Sequence, residues 1–420
     1  MPNFSGASDA DYTISRAGIM KILFYNHTGK VSGAERILLL ALKKLNRRRF
    51  EPLVICPASG TLSEEVGKLG IPCKSLDQLE ARFTFRIDFL IKYLISFYQT
   101  IRQLRGEVLA ENPSLIHANS VRAGLVASAA SVGTGVPVFW HLHDEMPRHP
   151  LSTAIRWFAA FSSRTHLIST CQAVADSFRG TILRLFGKHI PLRIVENAIE
   201  LERFTPDPAH RQKIRAELQL SDDEFVVGIV GLITPRKGQL GLIRSFAQAK
   251  KQMPGSTLLI VGAPMFNKDH LYLEELERSV EQFGLEKSVR FLGLRNDVAA
   301  IMQSLDVLVV NSKSEALVIV AIEAMACGTP VIATTVGGIK EMITHQVNGW
   351  LVPFGDQELL QNALVTLRQE PELRAKFAKN GREIVASRLH ADRFIAELED
   401  FFMEFGLQSQ KKGDLLLAEN

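Results

Sequence analysis

The chain has 420 residues, 46% of them hydrophobic and 22% charged, with a net charge of +4. At roughly 100–200 residues per domain that is material for two or three globular domains, and the balance excludes a disordered, fibrous or membrane-spanning chain. So small a charge excess, with no basic face interleaved with aromatics, excludes nucleic acid as an expected partner.

Residues 1–18 are small and polar, carry no secretory leader pattern and are expected to be disordered. The first apolar run, "KILFYN" (21–26), is followed by a glycine-containing loop and the helical pattern "RILLLALKKL". The basic run "KKLNRRRF" (43–50) closes that pattern, as cations do at a helix C-terminus. Further buried-strand runs follow at "PLVICP" (52–57), "SLIHAN" (114–119), "VPVFWHLH" (136–143) and "HLISTC" (166–171), with helical segments between. Around residue 195 the texture turns polar, with two prolines, and reads as a linker. The alternation restarts at "EFVVGIVGLI" (224–233) and continues through 256–263, 288–293, 306–312, 330–335 and 349–353. Strand–helix alternation of this kind predicts parallel, doubly wound sheets. We therefore expect a first domain over 19–196, a second over 197–390, an amphipathic helix over 391–408 and a flexible tail over 409–420. Cys56, Cys73, Cys171 and Cys327 form no CxxC pair and no zinc spacing, and read as small buried hydrophobes of a reducing compartment. No apolar run reaches membrane-spanning length, so a cytoplasmic location is expected.

In open α/β sheets ligands bind beyond the carboxyl ends of the strands, so two such domains in series predict a deep cleft between facing sheets. The chemistry-bearing residues should then follow strands. After the first strand, Gly29 and Gly33 allow close backbone approach and precede a helix N-terminus suited to an anion, or are plain turn glycines. The loop is not GxGxxG, which counts against a dinucleotide. In "WHLHDE", His141 and His143 share one side of a strand. They are a metal pair lacking an obvious third ligand, or one buried histidine beside one that faces the cleft. In "GLITPRKGQ" (231–239), Arg236 and Lys237 offer adjacent cations to a diphosphate, unless they are merely an exposed basic loop.

The most specific stretch is "SEALVIVAIEAMACGTPVIAT" (314–334). Glu315 sits at a loop or helix start, where the dipole favours a carboxylate anyway. The amides of Ala316, Leu317 and Val318 are expected in the first helical turn, free to bond a ligand. Glu323 lies among Val320, Ala321, Ile322, Ala324 and Met325, and a carboxylate so placed needs a partner.

This segment resembles the EX7E signature of the large retaining glycosyltransferase family 4, which has the two-domain GT-B fold. "SGAER", "HLHDE", "VENAIELERF", "GLITPRKGQ", "FLGLRNDV", "GG" and "VNGWLVP" are similar to that family in order and spacing, over roughly residues 20–390. The resemblance implies that Glu323 holds the ribose hydroxyls of a nucleotide sugar and that Glu315 lies against the donor sugar. It implies that Lys237 and Arg236 meet the leaving diphosphate, that Gly33 lies near the phosphates and acceptor, and that His143 lies near the transferred sugar. The implied reaction is transfer from a UDP- or GDP-type sugar to a hydroxyl of a sugar, glycan or lipid-linked acceptor, with no metal or other cofactor. The implied setting is polysaccharide or glycoconjugate synthesis. A sugar-nucleotide epimerase and a non-catalytic sugar-nucleotide binder are the rival readings. The chain departs from the family at Leu232, where an Arg is common, at Ala316–Val318, at Ala198 and at Ser32. The helical stretch 82–105, aromatic and basic-ended, is read as a packed helix or as a peripheral contact with the inner membrane face near a lipid-linked acceptor.

Overall fold

Apolar runs bounded by glycine, asparagine and proline become strands, and the amphipathic segments between them become the helices that cover both sheet faces. The computed structural model describes residues 19–77, 87–147, 149–162, 164–185, 190–265 and 267–418, so the expected disorder of 1–18 lies outside the described residues. The first half runs β1 (Met20–Tyr25), α1 (Gly33–Lys44), β2 (Phe50–Pro57), α2 (Leu62–Lys68), β3 (Cys73–Leu76), α3 (Ile87–Glu111), β4 (Leu115–Ala118), α4 (Val121–Ala130), β5 (Val138–Leu142), α5 (Pro150–Phe161), β6 (Thr165–Ser169), α6 (Gln172–Leu185) and β7 (Leu192–Ile194). The second runs α7 (Pro208–Glu217), β8 (Phe225–Val230), α8 (Gln239–Ala249), β9 (Ser256–Val261), α9 (Asn267–Gln282), β10 (Val289–Gly293), α10 (Val298–Ser304), β11 (Val307–Val310), α11 (Ile319–Ala326), β12 (Val331–Thr334), α12 (Ile339–Met342), β13 (Trp350–Val352), α13 (Gln357–Gln369), α14 (Pro371–Arg388) and α15 (Ala391–Ala418).

These strands form two parallel sheets of orders β3-β2-β1-β4-β5-β6-β7 and β10-β9-β8-β11-β12-β13. Each sheet reverses its winding once, between β1 and β4 and between β8 and β11, and the crevice at such a switch point is where open α/β sheets take ligands. The inner strands are buried on both faces, as parallel strands under helices must be, whereas the edge strands β3, β7, β10 and β13 are only partly covered. The sequence reading missed β3 and β7, the short edge strands of the first sheet.

The last helix returns to the first domain. Phe402 lies edge-on to Phe24, Phe50 and Phe139, with ring centroids 5.6–6.4 Å apart, and shares a core with α1 and α2. It runs to Ala418, past the end expected at 408, so most of the segment read as a tail is helical. The chain thus passes between the domains twice. At the crossing Ile199 and His390 form a parallel bridge, with Ile199 N–H donating to Leu389 O and Ala391 N–H to Ile199 O.

Helix α3 packs on the first domain, one of the two alternatives for residues 82–105, of which 82–86 lie outside the described residues. Leu104 and Val108 are buried against α4, whereas Leu94, Ile95 and Tyr98 are more than half exposed. Among the described residues no helix is long and apolar enough to cross a membrane.

Candidate active site

The second-domain half of the site is built where the loops after β8 and β11 press together. Gly238 has φ 71°, and a Cβ there would fall 2.0 Å from Asn311 O, so only glycine fits. Asn311 Nδ2 donates to Gly238 O at 2.8 Å and Lys313 N–H to Arg236 O at 2.8 Å, which ties the "PRK" turn to the β11 loop on both sides of the two cations. Lys237 Nζ therefore lies 2.5 Å from Glu315 Oε1, and Arg236 Nη1 lies 3.4 Å from Glu315 Oε2 and 3.0 Å from Ser314 O. The sequence reading named all three residues but not their mutual contact. Two cations share one carboxylate, so the cluster itself carries one positive charge in excess. A cavity of about 360 Å³ opens beside this turn between α8, α9 and the loop after β13, but neither Lys237, Glu315 nor Glu323 lines it.

One expectation needs correction. Helix α11 begins at Ile319, with Val318 as its cap, so Ala316, Leu317 and Val318 precede the first turn rather than form it. The cause is the "VGG" loop after β12. Gly338 N–H donates to Ala316 O, and Gly337, at φ 54°, lies so close that a Cβ would meet Glu315 O at 1.6 Å. That contact holds the segment extended. Val318 sits at φ −86° and ψ 99°, ordinary space for a β-branched residue. The amides of 316–318 still donate to no group among the described residues.

Glu323 is buried on α11 with no cation within 4 Å among the described residues. Burial pushes its carboxyl up to about 7, against the pull of Arg36 from the first domain and Arg203 from the crossing. A carboxylate so enclosed lacks a donor that a ligand hydroxyl can supply.

The first-domain half sits at the ends of β1, β4 and β5, the neighbouring strands at that sheet's switch point. His143 Nε2 lies 2.9 Å from Asn119 Oδ1, Asn119 Nδ2 donates to Asn26 Oδ1 at 3.0 Å, and Asn26 Nδ2 donates to Glu35 Oε1 at 3.2 Å. Glu35 reaches back to accept from Ser32 N–H at 3.0 Å, an S-x-x-E capping box that opens α1, so Ser32 is a helix cap here. The His141 and His143 rings lie 4.0 Å apart. Burial drives the His143 imidazole down to about 3 and His141 well below its ordinary value, so both are neutral at pH 7. Among the described residues no group of three or more His, Cys, Asp or Glu side chains could hold a metal ion, so the histidine pair acquires no third ligand.

The two halves meet. A Cβ on Gly33 would stand 3.8 Å from Ile319 Cδ1, so the N-termini of α1 and α11 converge. Burial raises the carboxyl of Asp144, which follows His143; Arg236 and Lys237 pull it down while Glu315 and Glu35 push it up, so this loop lies in the field of the opposite domain's charges. Glu341 of α12 accepts from the amides of Gln172 and Ala173, each at 2.8 Å, and so caps α6 from across the cleft. Asn26, Asn119, Asn311, Asp144 and Glu341 were all missed in the sequence. The signal available for the three asparagines was their shared place, each directly after an apolar strand run.

A two-domain α/β protein with a cationic strand-end cluster facing a neutral polar one across a cleft is the architecture of a sugar-nucleotide transferase. Residues 31–203 match the family described as Glycosyltransferase Family 4, and residues 210–384 match that described as Glycosyl transferases group 1. The D-inositol 3-phosphate glycosyltransferase of Salinispora arenicola is 32% identical over 344 residues, covering 76% of this chain and 75% of the relative. The UDP-Gal:alpha-D-GlcNAc-diphosphoundecaprenol alpha-1,3-galactosyltransferase of Escherichia coli is 24% identical over 391 residues, 89% of this chain and 94% of the relative. The crystal structure of Anabaena HepE in complex with UDP-glucose superposes with a TM-score of 0.78 at 26% identity, over 92% of this chain and all of that one. The chain belongs to glycosyltransferase family 4, with the GT-B fold, and is a glycosyltransferase that uses a nucleotide-sugar donor.

Proposed function

We propose that the chain moves a hexosyl group from a UDP-sugar to a hydroxyl of a glycan or lipid-linked acceptor, with retention of configuration and without a metal ion. The observation that carries this reading is the Lys237–Glu315–Arg236 cluster, tied to both strand-end loops of the second domain. Preorganised cations aimed at developing negative charge are the largest single contribution in many transfer reactions. When the bond from C1 to the β-phosphate oxygen breaks, the charge left on the diphosphate meets Lys237, Arg236 and the free amides of Ala316–Val318. With Leu232 in the place of an arginine, those two cations carry the phosphate charge. Glu323 accepts from the ribose hydroxyls, and Glu315 bridges the cations and the donor sugar. The acceptor oxygen bonds to C1 on the face the diphosphate leaves, and its proton passes to the departing phosphate oxygen. Gly33 and His143 line the acceptor-side wall.

The UDP choice is supported by the donor in the E. coli relative's name and by the UDP-glucose bound to HepE. A lipid-linked acceptor suits the exposed Leu94, Ile95 and Tyr98 on the outer side of α3, a surface that would rest on a membrane.

The test is incubation with UDP-glucose, UDP-galactose and GDP-mannose, with and without lipid-linked and soluble glycan acceptors, with and without EDTA. We expect acceptor-dependent UDP release, an α-linked product from an α-linked donor, and no effect of EDTA. A changed sugar recovered without acceptor would show an epimerase instead. Donor binding with no turnover on any acceptor would show a binding protein. Lack of flotation with liposomes would remove the membrane contact.

A further inference from the structure

The chain of buried amides behind His143 has a direction, and that direction is fixed by groups that can play only one role. Asn26 Nδ2 lies 2.6 Å from Thr28 O and 3.2 Å from Glu35 Oε1. A backbone carbonyl only accepts, so the atom facing it is the NH2 group, and Asn26 Oδ1 is left pointing at Asn119. Asn119 must then present its own NH2 group there, and it does so at 3.0 Å while also reaching Ala34 O at 3.3 Å. Two backbone carbonyls thus set both amide orientations independently. Asn119 Oδ1 remains to face His143 Nε2 at 2.9 Å, and an acceptor at that place requires a proton on Nε2. Glu35 secures the far end: its Oε2 accepts from the Ser32 amide at 3.0 Å, which leaves Oε1 as the acceptor that holds the Asn26 amide. Asn26, Asn119 and Glu35 are almost wholly enclosed, so no water competes for these bonds.

We propose that Glu35, Asn26 and Asn119 form a tautomer-setting relay, which holds His143 as the neutral Nε2–H imidazole and leaves Nδ1 as a lone-pair acceptor for a hydroxyl of the bound sugar. The three are positioning residues, acting through His143. Nδ1 has no partner among the described residues, and the ring is half-buried, so a ligand hydroxyl can reach it. The low proton affinity of the half-buried ring agrees with this role, since an imidazolium would offer a second donor instead of an acceptor. The relay rests on the glycosyl-transfer reading for the identity of the hydroxyl, but not for the tautomer.

Long-range 15N–1H NMR of histidine-labelled protein tests it, with the His143 signals assigned by their loss in His143→Gln. At pH 7.5 the wild type should show a protonated Nε2 and an unprotonated Nδ1 at His143. Asn119→Ala should give a mixture of tautomers and about tenfold lower kcat or more, of the size a misplaced hydrogen-bonding catalytic group costs, with donor KM little changed. Asn119→Asp keeps an acceptor at Nε2 but sets its other oxygen against Asn26 Oδ1 and Ala34 O, so it should show the Nε2–H tautomer with only part of the turnover. A wild type with Nδ1–H at His143 overturns the relay. So does an Asn119→Ala protein that loses turnover with the tautomer unchanged, because the residue is then merely structural. Should Asn119→Ala fail to fold, the wild-type spectrum and Asn119→Asp still decide. A wild type with the Nε2–H tautomer that transfers sugar to no acceptor supports the relay and overturns the transfer reading.

Discussion

The two halves of the site use opposite means to hold polar groups in place. In the first domain, strand-end asparagines and a neutral histidine are joined by hydrogen bonds that all donate toward a single carboxylate, Glu35. In the second, Lys237, Arg236 and Glu315 are held as charges, with glycines at 231, 238, 337 and 338 letting the loops close on them. A neutral directed network distinguishes donors from acceptors and suits hydroxyls. A charge cluster has little directionality and suits a phosphate whose charge grows as a bond breaks. On the proposed reading, the division of the reaction between sugar and diphosphate matches how each sheet end is built.

The sharpest break in that comparison is Lys237→Ala, which removes the more enclosed cation. We expect kcat to fall by about 10²–10³, the range typical for loss of one preorganised electrostatic group; a fall below fivefold would remove Lys237 from the diphosphate.

Next comes pH. Glu323 stands at about 7 in the donor-free protein, and ribose hydroxyls bond its ionised form, so donor binding should expel a proton. From that value the dissociation constant should be about tenfold tighter at pH 8 than at pH 6. Calorimetry in buffers of differing ionisation enthalpy reads the proton directly, and Glu323→Gln should abolish the dependence.

Stability without donor should move in opposite directions in the two halves. Glu323, raised from 4.5, contributes stability that is present below about 4.5 and lost as pH rises through 7. His117 and His143, lowered from 6.5 to about 3, contribute stability present above 6.5 and lost as pH falls from there toward 3. Each group changes the unfolding free energy by at most about 1.4 kcal/mol per pH unit inside its window. Thermal melts of His117→Phe and Glu323→Gln across pH 4–8 should change the slope in opposite senses: where the windows overlap, from about 4.5 to 6.5, His117→Phe removes a gain of stability with rising pH and Glu323→Gln removes a loss.

The smallest effect is expected from Glu341→Gln. A carboxylate capping α6 from the other domain is worth about 0.5–2 kcal/mol, so we expect a melting point lower by a few degrees and a raised acceptor KM with donor KM unchanged. Equal changes in both KM values would show that the contact does not govern how the domains meet.

Much of this was legible in the residues. Buried parallel strands announce themselves as apolar runs, and the carboxylate of Glu323 among apolar neighbours stood out because a lone buried charge is costly. The strands β3 and β7 did not stand out, because "CKSL" and "LRI" are short and only half covered at a sheet edge. The start of α11 was misplaced because "ALV" has fair helix-forming character, and only the distant Gly337 and Gly338 forbid the turn there. The contact of Lys237 with Glu315 was hidden for the same reason, since 78 residues separate the partners. The asparagine relay was visible only as two strands, β1 and β4, followed by the same residue, and its meaning depends on those strands being neighbours.

The paired crossing at Ile199 and His390 has a mechanical consequence. Two segments that are bonded side by side cannot be twisted independently, whereas they can bend together about the line that joins them. Any change in the angle between the two domains must therefore be shared by both passages of the chain, so the seam at Ile199 and Leu389–Ala391 couples the domain that carries Lys237 to the domain that carries His143.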